Sequence, residues 1–409
     1  MEEWKSYKLC EICDLIPGFA FKSADFGDYS TKAIKIGDIQ PPYVNRASMS
    51  GVNIEVYDKN KLSKFLVKRG DFVLAMTGAT IGKIGRYIDQ EPAYLNQRVL
   101  LFRPNGDVNP KFVYYSLLSP LFQQYVINHI DSETAQPNIS GRSVSGYEIA
   151  LPSRKEQDRI ALILSTIDDK IELNTRINHN LEEQAQALYK SWFVDFKPFK
   201  ESDFVDSELG LIPEGWRVGT LSELGDIVAG GTPSKTKPEY YTNNGIAWLT
   251  PKDLSVKCNK FTARGEIDIT EDGYKNSSAK LMPRGSVLFS SRAPIGYISI
   301  AKGDICTNQG FKSVVPTYAG TAYLYYWLCE NTEAIEAQAS GSTFKEASGS
   351  LMRSFPALVP EKSVIDSFEK ELSPILNEQE ILEEEINHAE QIRDSLLPRL
   401  MSGELVMNC

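Results

Sequence analysis

Several short strings in this 409-residue chain have residue types that could do chemistry, and TGATIGKIG (77–85) is the first to test. A phosphate-binding loop has four residues between its two outer glycines and a Ser or Thr after the Lys. Here only three residues separate Gly78 from Gly82, and Ile84 follows Lys83. Because glycine commonly serves tight turns, the string predicts a strand, a turn and a second strand, and not a nucleotide site.

A methyltransferase tetrad is also incomplete. NPKF (109–112) is close to the Asn-Pro-Pro-aromatic tetrad of amino-methyltransferases, but Lys111 stands at the second proline and no glycine-rich cofactor loop precedes it. Pro110 instead predicts the first turn of a helix.

Candidate metal ligands are few. Cys10 and Cys13 form a single CxxC, whereas a zinc site needs about four ligands, so buried structural cysteines are the favoured interpretation. Of the three histidines (the third is His129), His179 and His388 occupy equivalent places in two predicted helices, which indicates packing or surface positions. We therefore predict neither catalytic nor metal-binding residues.

Basic and polar residues in the glycine-rich loops could instead bind DNA. Arg and Lys contact guanine edges or phosphates, and Asn and Gln read adenine. The candidates in the first half are Lys22, Lys35, Thr77, Thr80, Lys83, Arg98, Asn138 and Arg142. Those in the second half are Thr232, Ser234, Lys235, Lys237, Tyr240, Lys252, Ser291, Arg292, Thr343 and Lys345. Each is alternatively an ordinary surface charge or turn hydroxyl, and clustering in loops favours Lys235, Lys237 and Arg292.

The elements that must position these residues occur in two copies. Trp4 and Leu9 correspond to Trp216 and Leu221, and RGDFVLAMTGATIG (69–82) corresponds to RGSVLFSSRAPIG (284–296). Asn-Gln at 96–97 recurs at 308–309, and ISGRSVSGYEIALP (139–152) corresponds to ASGSLMRSFPALVP (347–360). Matches in one order at one approximate shift indicate an internal duplication.

Each copy begins with short β-branched and aromatic runs broken by Gly, Pro, Asn and Asp, which predict strands. Short helices are expected near 110–128 and 321–337, and each copy closes with a long helix whose apolar residues recur at helical spacing. We predict an α+β fold of two pseudo-repeated mixed α/β domains, separated by two long helices packed as an antiparallel coiled coil. We call them target recognition domains because they carry the candidate DNA-binding loops. The predicted segments are 1–152 (first recognition domain), 153–196 (central spacer helix), 197–215 (linker), 216–360 (second recognition domain) and 361–409 (C-terminal spacer helix and tail).

The long helices carry apolar stripes, from Ile160 to Leu188 and from Ile365 to Leu396, that we expect to form a core seam. Polar residues interrupt both stripes, and Pro374 is expected to kink or restart the second helix. A helix of roughly 38 residues is roughly 57 Å long, and an antiparallel pair would hold the domains at opposite ends of a rod. The aromatic residues at 192, 193 and 196 fit two alternatives equally, packing at the helix–domain junction or contact with a partner subunit.

The net charge of −10 is unevenly distributed. Residues 361–409 contain 4 basic and 12 acidic residues, whereas residues 1–150 contain 17 and 16. Because phosphate contacts dominate nonspecific DNA affinity, the near-neutral domains predict weak DNA binding without partners. The chain has no apolar run long enough for a membrane span, its polar N-terminus is unlike a signal peptide, and six cysteines suggest a reducing, cytoplasmic location.

Two related but different recognition surfaces on one chain suit an asymmetric two-part DNA site, because dimeric readers place their surfaces one or more helical turns apart. The repeat alone fits a scaffold that binds two copies of another protein equally well.

The strings GFAFKSADF (18–26), GGTPSKTKPEYY (230–241), SWFVDFKPF (191–199), DSELGLIPEGW (206–216) and LLPRLMSGEL (396–405) together resemble the specificity subunit of type I restriction-modification systems. The resemblance covers nearly the whole chain and the order of its parts. It implies a noncatalytic subunit that reads double-stranded DNA and joins two modification (adenine methyltransferase) subunits and motor-nuclease restriction subunits. S-adenosylmethionine, ATP and Mg²⁺ are expected on those partners. The alternatives are a protein-binding scaffold and a stand-alone DNA-modifying enzyme.

Overall fold

The computed structural model describes residues 4–130, 137–256, 259–341 and 345–405. The chain divides into two compact units, a first one of Met1–Ile171 with His388–Cys409 and a second one of Glu172–Asn387. Both long helices therefore contribute residues to both units. The finer boundaries stay a prediction.

The first unit contains twelve described strands and six α-helices. The strands are β1 (Lys5–Lys8), β2 (Cys13–Pro17), β3 (Phe26–Ile34), β4 (Ile39–Gln40), β5 (Tyr43–Val44), β6 (Ser50–Val52), β7 (Leu66–Val67), β8 (Phe72–Ala75), β9 (Ile84–Arg86), β10 (Ala93–Leu95), β11 (Val99–Pro104) and β12 (Glu148–Leu151). The helices are α1 (Leu9–Ile12), α2 (Lys59–Leu62), α3 (Pro110–Leu118), α4 (Pro120–Asn128), α5 (Gly141–Ser145) and α6 (Arg154–Phe193), which continues into the second unit.

The second unit contributes the remaining elements that the structure describes. The strands are β13 (Phe204–Ser207), β14 (Gly210–Pro213), β15 (Arg217–Thr220), β16 (Gly225–Ala229), β17 (Tyr241–Thr242), β18 (Trp248–Leu249), β19 (Phe261–Thr262), β20 (Asp268–Ile269), β21 (Val287–Ser291), β22 (Ile295–Ala301), β23 (Cys306–Thr307), β24 (Lys312–Pro316) and β25 (Pro356–Val359). The helices are α7 (Leu221–Leu224), α8 (Pro251–Val256), α9 (Glu271–Lys275), α10 (Thr321–Gln338), α11 (Gly349–Ser354) and α12 (Lys362–Met401), which continues into the first unit.

The main sheets of the two units have matching centres, which confirms the duplication. The first has the strand order β2-β11-β8-β9-β5-β4 and the second β16-β24-β21-β22-β19. In each, the strand before the recurring Gly-rich turn is buried along its length, as the uninterrupted apolar run FVLA predicts. A short antiparallel ladder, β1 with β12 and β15 with β25, brings the two ends of each recognition domain together.

The long helices pack against each other within each unit. In the second unit the Asn174 amide donates to Glu385 at 2.8 Å and Gln379 donates to Glu182 at 3.0 Å. Later residues of α6 therefore face earlier residues of α12, and the helices are antiparallel there. In the first unit Ile160 and Leu164 share a core with Leu397 and Leu400. The polar seam residues Asn174 and Gln379 form hydrogen bonds across the helix pair. Their buried polar groups are therefore not left unpaired, which would cost free energy.

The predicted apolar seams are largely confirmed, with shifts of one residue at several positions, two of them in α12. Leu376 and Leu397 are buried, whereas Ile375 and Leu396 are only partly buried. The helix α12 runs without a break through Pro374, so the prediction of a restart there was wrong, and the alternative of a kink stays a prediction. Packing of the surrounding apolar residues outweighs the backbone hydrogen bond that proline removes.

Other local predictions can be checked directly. The side chain of Asn109 accepts from the amides of Lys111 and Phe112, with Pro110 in the first turn, so NPKF is a helix start. The expected helix near 110–128 divides at Ser119, whose hydroxyl caps α4. Among described helices, none is long and apolar enough to cross a membrane.

Candidate nucleic-acid interface

Four loop segments of the first unit meet at one end of its main sheet. The amide of Met76 donates to the carbonyl of Arg98 at 2.9 Å, and the amide of Ile139 donates to the carbonyl of Met76 at 2.9 Å. The amide of Gln97 donates to the carbonyl of Phe19 at 2.8 Å. Residues 18–19, 76–83, 96–98 and 137–142 are thus held together by backbone bonds, and we call them the first loop cluster.

The same convergence occurs in the second unit. The amide of Ser291 donates to the carbonyl of Gly310 at 2.7 Å, and the amide of Ala347 donates to the carbonyl of Ser291 at 2.9 Å. The amide of Gly231 donates to the carbonyl of Thr307 at 2.8 Å. Residues 230–232, 291–296, 307–312 and 345–347 form the second loop cluster.

Glycine is required where two of these segments touch. A Cβ added to Gly18 would lie 1.9 Å from the carbonyl oxygen of Asn96, and one added to Gly230 would lie 2.0 Å from that of Asn308. Neither backbone could tolerate such a contact, because real heavy atoms do not approach so closely. The two loop clusters are therefore built by the same close backbone crossing.

Side chains in the first loop cluster form a polar group around Asn138. The guanidinium of Arg98 donates to its Oδ1 at 3.4 Å, and the hydroxyl of Thr77 donates to the carbonyl of Pro137 at 3.0 Å. The hydroxyl of Thr80 donates back to the carbonyl of Thr77 at 3.4 Å. Four of the predicted contact residues, Thr77, Thr80, Arg98 and Asn138, therefore lie together, and Thr77 is mostly buried.

The remaining predicted residues of the first unit differ in availability. Lys22, Lys83 and Arg142 are exposed. The ammonium of Lys35 donates to the hydroxyl of Ser50 at 2.9 Å and lies 3.8 Å from the ring centre of Phe26. Lys35 is thus engaged within its own domain, while the three exposed side chains can approach a phosphate.

The second loop cluster carries an ion-pair group centred on Glu346. Its carboxylate contacts the guanidinium of Arg292 at 3.4 Å and the ammonium of Lys312 at 3.2 Å. Ser291 is fully buried and its hydroxyl donates to the carbonyl of Gly310 at 3.1 Å, so it shapes the cluster from within. Thr232 bonds the side chain of Gln309 at its edge.

Sequence reasoning missed Glu346 and Lys312. Both positions follow from the duplication, since Glu346 matches Asn138 and Lys312 matches Leu100. A charged residue aligned with a buried leucine was the available indication that the second copy has an ionic group there.

Several other predicted contact residues of the second unit lie outside the ion-pair group centred on Glu346. Ser234 bonds Thr236 at 2.9 Å, Lys235 is exposed, and Lys237 donates to the hydroxyl of the buried Tyr240 at 3.0 Å. Lys252 pairs with Glu266 at 3.1 Å, and Lys345 donates to a backbone carbonyl at 3.4 Å. Thr343 lies outside the described residues. Which of these residues touch DNA stays a prediction.

Backbone strain concentrates at the two loop clusters. Within the part of the chain that the structure describes, three non-glycine residues have positive φ, and these are Arg98, Phe196 and Ala293. Arg98 belongs to the first cluster and Ala293 follows Arg292 in the second. Left-handed backbone is unfavourable for such residues and persists at sites where neighbours hold it, which are often functional sites.

The described ranges contain no group of three or more His, Cys, Asp or Glu residues arranged to hold a metal ion. The expectation that both CxxC cysteines are buried was wrong for Cys10, which is exposed because it lies on the outer side of α1 beyond the buried Leu9. Cys13 is buried, and burial raises the pKa of its thiol to about 12. A thiol with that pKa stays protonated at neutral pH and is a poor nucleophile or metal ligand. His179 and His388 are exposed on the helices.

A buried tyrosine joins each recognition domain to its helices. Tyr115 donates to Asp168 at 2.6 Å, and Arg393 contacts the same carboxylate at 3.2 Å. In the second unit Tyr326 donates to Glu182 at 3.1 Å, and Lys260 contacts that carboxylate at 2.6 Å. These similar groups fix each domain on the helices beneath it.

The aromatic residues at the end of α6 pack inside the second unit. Phe193 is buried, with its ring centre 4.8 Å from those of Tyr323 and Phe368. Trp192 lies 5.7 Å from Phe368, and Phe196 lies 5.6 Å from Trp216. The junction interpretation accounts for these residues.

Comparison with known proteins gives a consistent result. The family described as "Type I restriction modification DNA specificity domain" matches residues 1–183 and 213–391. The specificity subunit of the type I restriction enzyme HindI from Haemophilus influenzae is 27% identical, with 99% of this chain and 100% of that protein aligned. The MjaIX specificity subunit from Methanocaldococcus jannaschii is 37% identical over 45% of this chain and 44% of that protein. A crystal structure of a type I restriction-modification S subunit from M. genitalium superimposes with a TM-score of 0.66 at 14% identity, covering 99% of this chain and 97% of that one, and so shares the fold.

Proposed function

This chain belongs to the type I restriction-modification DNA specificity family, and we propose from that membership how its two units are used. The chain is a noncatalytic specificity subunit that recognises DNA sequence, and the catalytic steps belong to partner subunits. Each unit reads one half of an asymmetric two-part site through its loop cluster. The observation that carries this proposal is the family match to both halves of the chain, each of which contains the same loop convergence with different side chains.

The difference between the loop clusters predicts different half-sites. Thr77 and Asn138 in the first unit correspond to Arg292 and Glu346 in the second. A hydroxyl and an amide present other donor and acceptor patterns than a guanidinium and a carboxylate do. Since base edges in the major groove differ in that pattern, equivalent loops with such different groups would select different bases.

We infer that the chain works in a complex. Two modification subunits and motor-nuclease restriction subunits are the proposed partners, with S-adenosylmethionine, ATP and Mg²⁺ bound by those subunits. The near balance of charge in residues 1–150 supports this, because a protein that binds DNA alone through phosphates usually presents a basic surface. A cytoplasmic location goes with such a role.

Methyl transfer measured on DNA separates this function from a stand-alone enzyme. The purified chain is incubated with labelled S-adenosylmethionine and duplex DNA, with and without its modification subunits. We expect incorporation only when the chain and the modification subunits are both present. The methylated base should be adenine, and it should lie in a bipartite sequence. Incorporation by the chain alone would establish an enzyme instead. If the modification subunits methylate the same sites with and without the chain, the chain does not select the sequence, and this would favour a protein scaffold.

A further inference from the structure

We propose that Arg292 and Glu346 together read one G·C base pair in the half-site bound by the second unit. The Arg292 guanidinium donates to guanine, and the Glu346 carboxylate accepts from the cytosine paired with it. This inference rests on the proposed function and assigns a base pair to a position in one loop cluster.

The geometry places both groups where a ligand can reach them. The side chains of Arg292 and Glu346 are each 37% exposed, whereas that of Lys312 is 11% exposed. Lys312 also lies 3.5 Å from the hydroxyl of Ser291 and 3.4 Å from the carbonyl of Gln309. Lys312 therefore neutralises the carboxylate from the inside, and Arg292 and Glu346 form the outer edge of the group.

The backbone fixes the two groups side by side. The amide of Ala347 donates to the carbonyl of Ser291, which joins the residues next to Glu346 and Arg292. Ala293, directly after Arg292, has a φ of 55°. Contacts with neighbouring residues must hold Ala293 in that unfavourable backbone region. The backbone direction after Arg292 is therefore fixed, and Arg292 stays beside Glu346.

The chemistry of the pair matches one base pair. In the major groove guanine presents two acceptors, O6 and N7, and cytosine presents one donor, the N4 amino group. A guanidinium supplies two donors in a planar fork, and a carboxylate is an acceptor with lone pairs to spare. The two cations and one carboxylate leave a net positive charge, which suits a ligand that carries phosphates.

The first unit is an internal comparison. Its equivalent positions hold Thr77, Asn138 and Leu100, which have no formal charge, and its arginine comes from a different strand end as Arg98. The ionic group is therefore specific to the second copy and is not needed to build the shared fold. This is the pattern expected of residues that select a base.

The test measures the sequence preference of the complete complex with its modification subunits. The probe is a duplex library randomised over both half-sites, sequenced before and after binding. The main variant is Arg292→Lys, which keeps the charge and the Glu346–Lys312 contact but loses the planar fork. Glu346→Gln is the second variant. Arg284→Lys is the matched control, because Arg284 pairs with Glu380 at 2.6 Å in the same unit but outside the second loop cluster.

We expect Arg292→Lys to reduce the preference for G·C at one position of one half-site by about tenfold or more, the discrimination given by one bidentate contact. Glu346→Gln should weaken the preference at the same position, and Arg284→Lys should change none. An unchanged preference, or a weakening spread evenly over all positions as for a phosphate contact, would overturn the inference. If Glu346→Gln does not fold, Arg292→Lys decides alone.

The failures of the two proposals differ. A wild-type complex that selects no bipartite sequence would contradict the proposed function. A wild-type complex that selects one, but with no G·C pair sensitive to Arg292, would contradict the base-pair assignment alone.

Discussion

Gly403 lies against the indole ring of Trp4, so that a Cβ added to Gly403 would be 3.4 Å from the ring carbons. Gly403 has a φ of 72°, and Leu405 packs on the same core. The last described residues therefore complete the core that the first described residues begin. In the second unit Trp216 is covered by Phe199, with ring centres 4.9 Å apart, so both units use the residues after a long helix to cover the equivalent tryptophan.

Removing residues 402–409 should destabilise the first unit. The deletion uncovers Trp4 and part of the core beside Leu405, and loss of that burial is expected to lower the free energy of unfolding by about 1–2 kcal/mol. Urea unfolding followed by tryptophan fluorescence measures this. Deletion of residues 406–409 alone is the reference, so that the difference between the two deletions measures the contribution of residues 402–405. Equal stability of both deletions would show that the contact with Trp4 contributes nothing.

The sequence predicted much of this architecture and less of the site. The repeated strings at 69–82 and 284–296 gave the matching strands, and helical spacing gave both long helices nearly to their ends. Periodicity could not show that the residues after α12 return to Trp4, because that contact joins residues 399 positions apart. It also could not show which polar loop residues are buried, as Ser291 is, since exposure depends on the tertiary packing.

The candidate list illustrates the same limit. Lys35 and Arg98 looked alike as basic residues near glycines, but Lys35 is held by Ser50 and Phe26, whereas Arg98 is exposed beside Asn138. Glu346 was missed because an acidic residue is not expected at a DNA surface. Only its contacts with Arg292 and Lys312 reveal its place in the group.

Exposed lysines should determine the salt dependence of DNA binding. Lys83→Ala and Lys235→Ala are each expected to weaken the complex evenly across sequences and to reduce the slope of log affinity against log salt by about one. Lys35→Ala is the control, because that ammonium is engaged inside its domain, and it should leave the slope unchanged. Binding titrations from low to high salt give the slopes. A change with Lys35→Ala as large as that with Lys83→Ala would refute this assignment.

Glu369 should make the stability of the second unit rise in acid relative to that of its amide variant. Its carboxylate accepts from the amides of Ala322 and Tyr323 at 3.2 and 2.8 Å, and burial raises its pKa. A carboxyl whose folded-state pKa exceeds the unfolded value, near about 4.3, binds more protons when folded. Folding is therefore favoured as the pH falls through the folded pKa. The unfolding free energy of wild type minus that of Glu369→Gln should become more positive as the pH falls from 7 toward about 4.3, and a value that becomes more negative would contradict this.

Glu182 should show the opposite dependence. Burial alone would raise the pKa of Glu182. The charge of Lys260 and the hydrogen bonds from Gln379 and Lys260 lower it by more, so the net shift of the pKa is downward. Its stabilising contribution is full above the unfolded pKa and is lost as the pH falls through the folded pKa. Glu182→Gln also leaves Lys260 buried without its partner, which should cost about 3 kcal/mol at pH 7. That deficit should shrink as the pH falls below about 4.3, and calorimetry at several pH values would show whether it does.

The most direct test of the central claim is single-molecule methylome sequencing of cells that carry the modification subunits with this chain, without it, or with residues 1–152 exchanged for another recognition domain. We predict adenine methylation in an asymmetric bipartite sequence that requires the chain, and an exchange that alters one half of that sequence and preserves the other. Methylation at the same sequence without the chain, or an exchange that leaves both halves unchanged, would contradict the account.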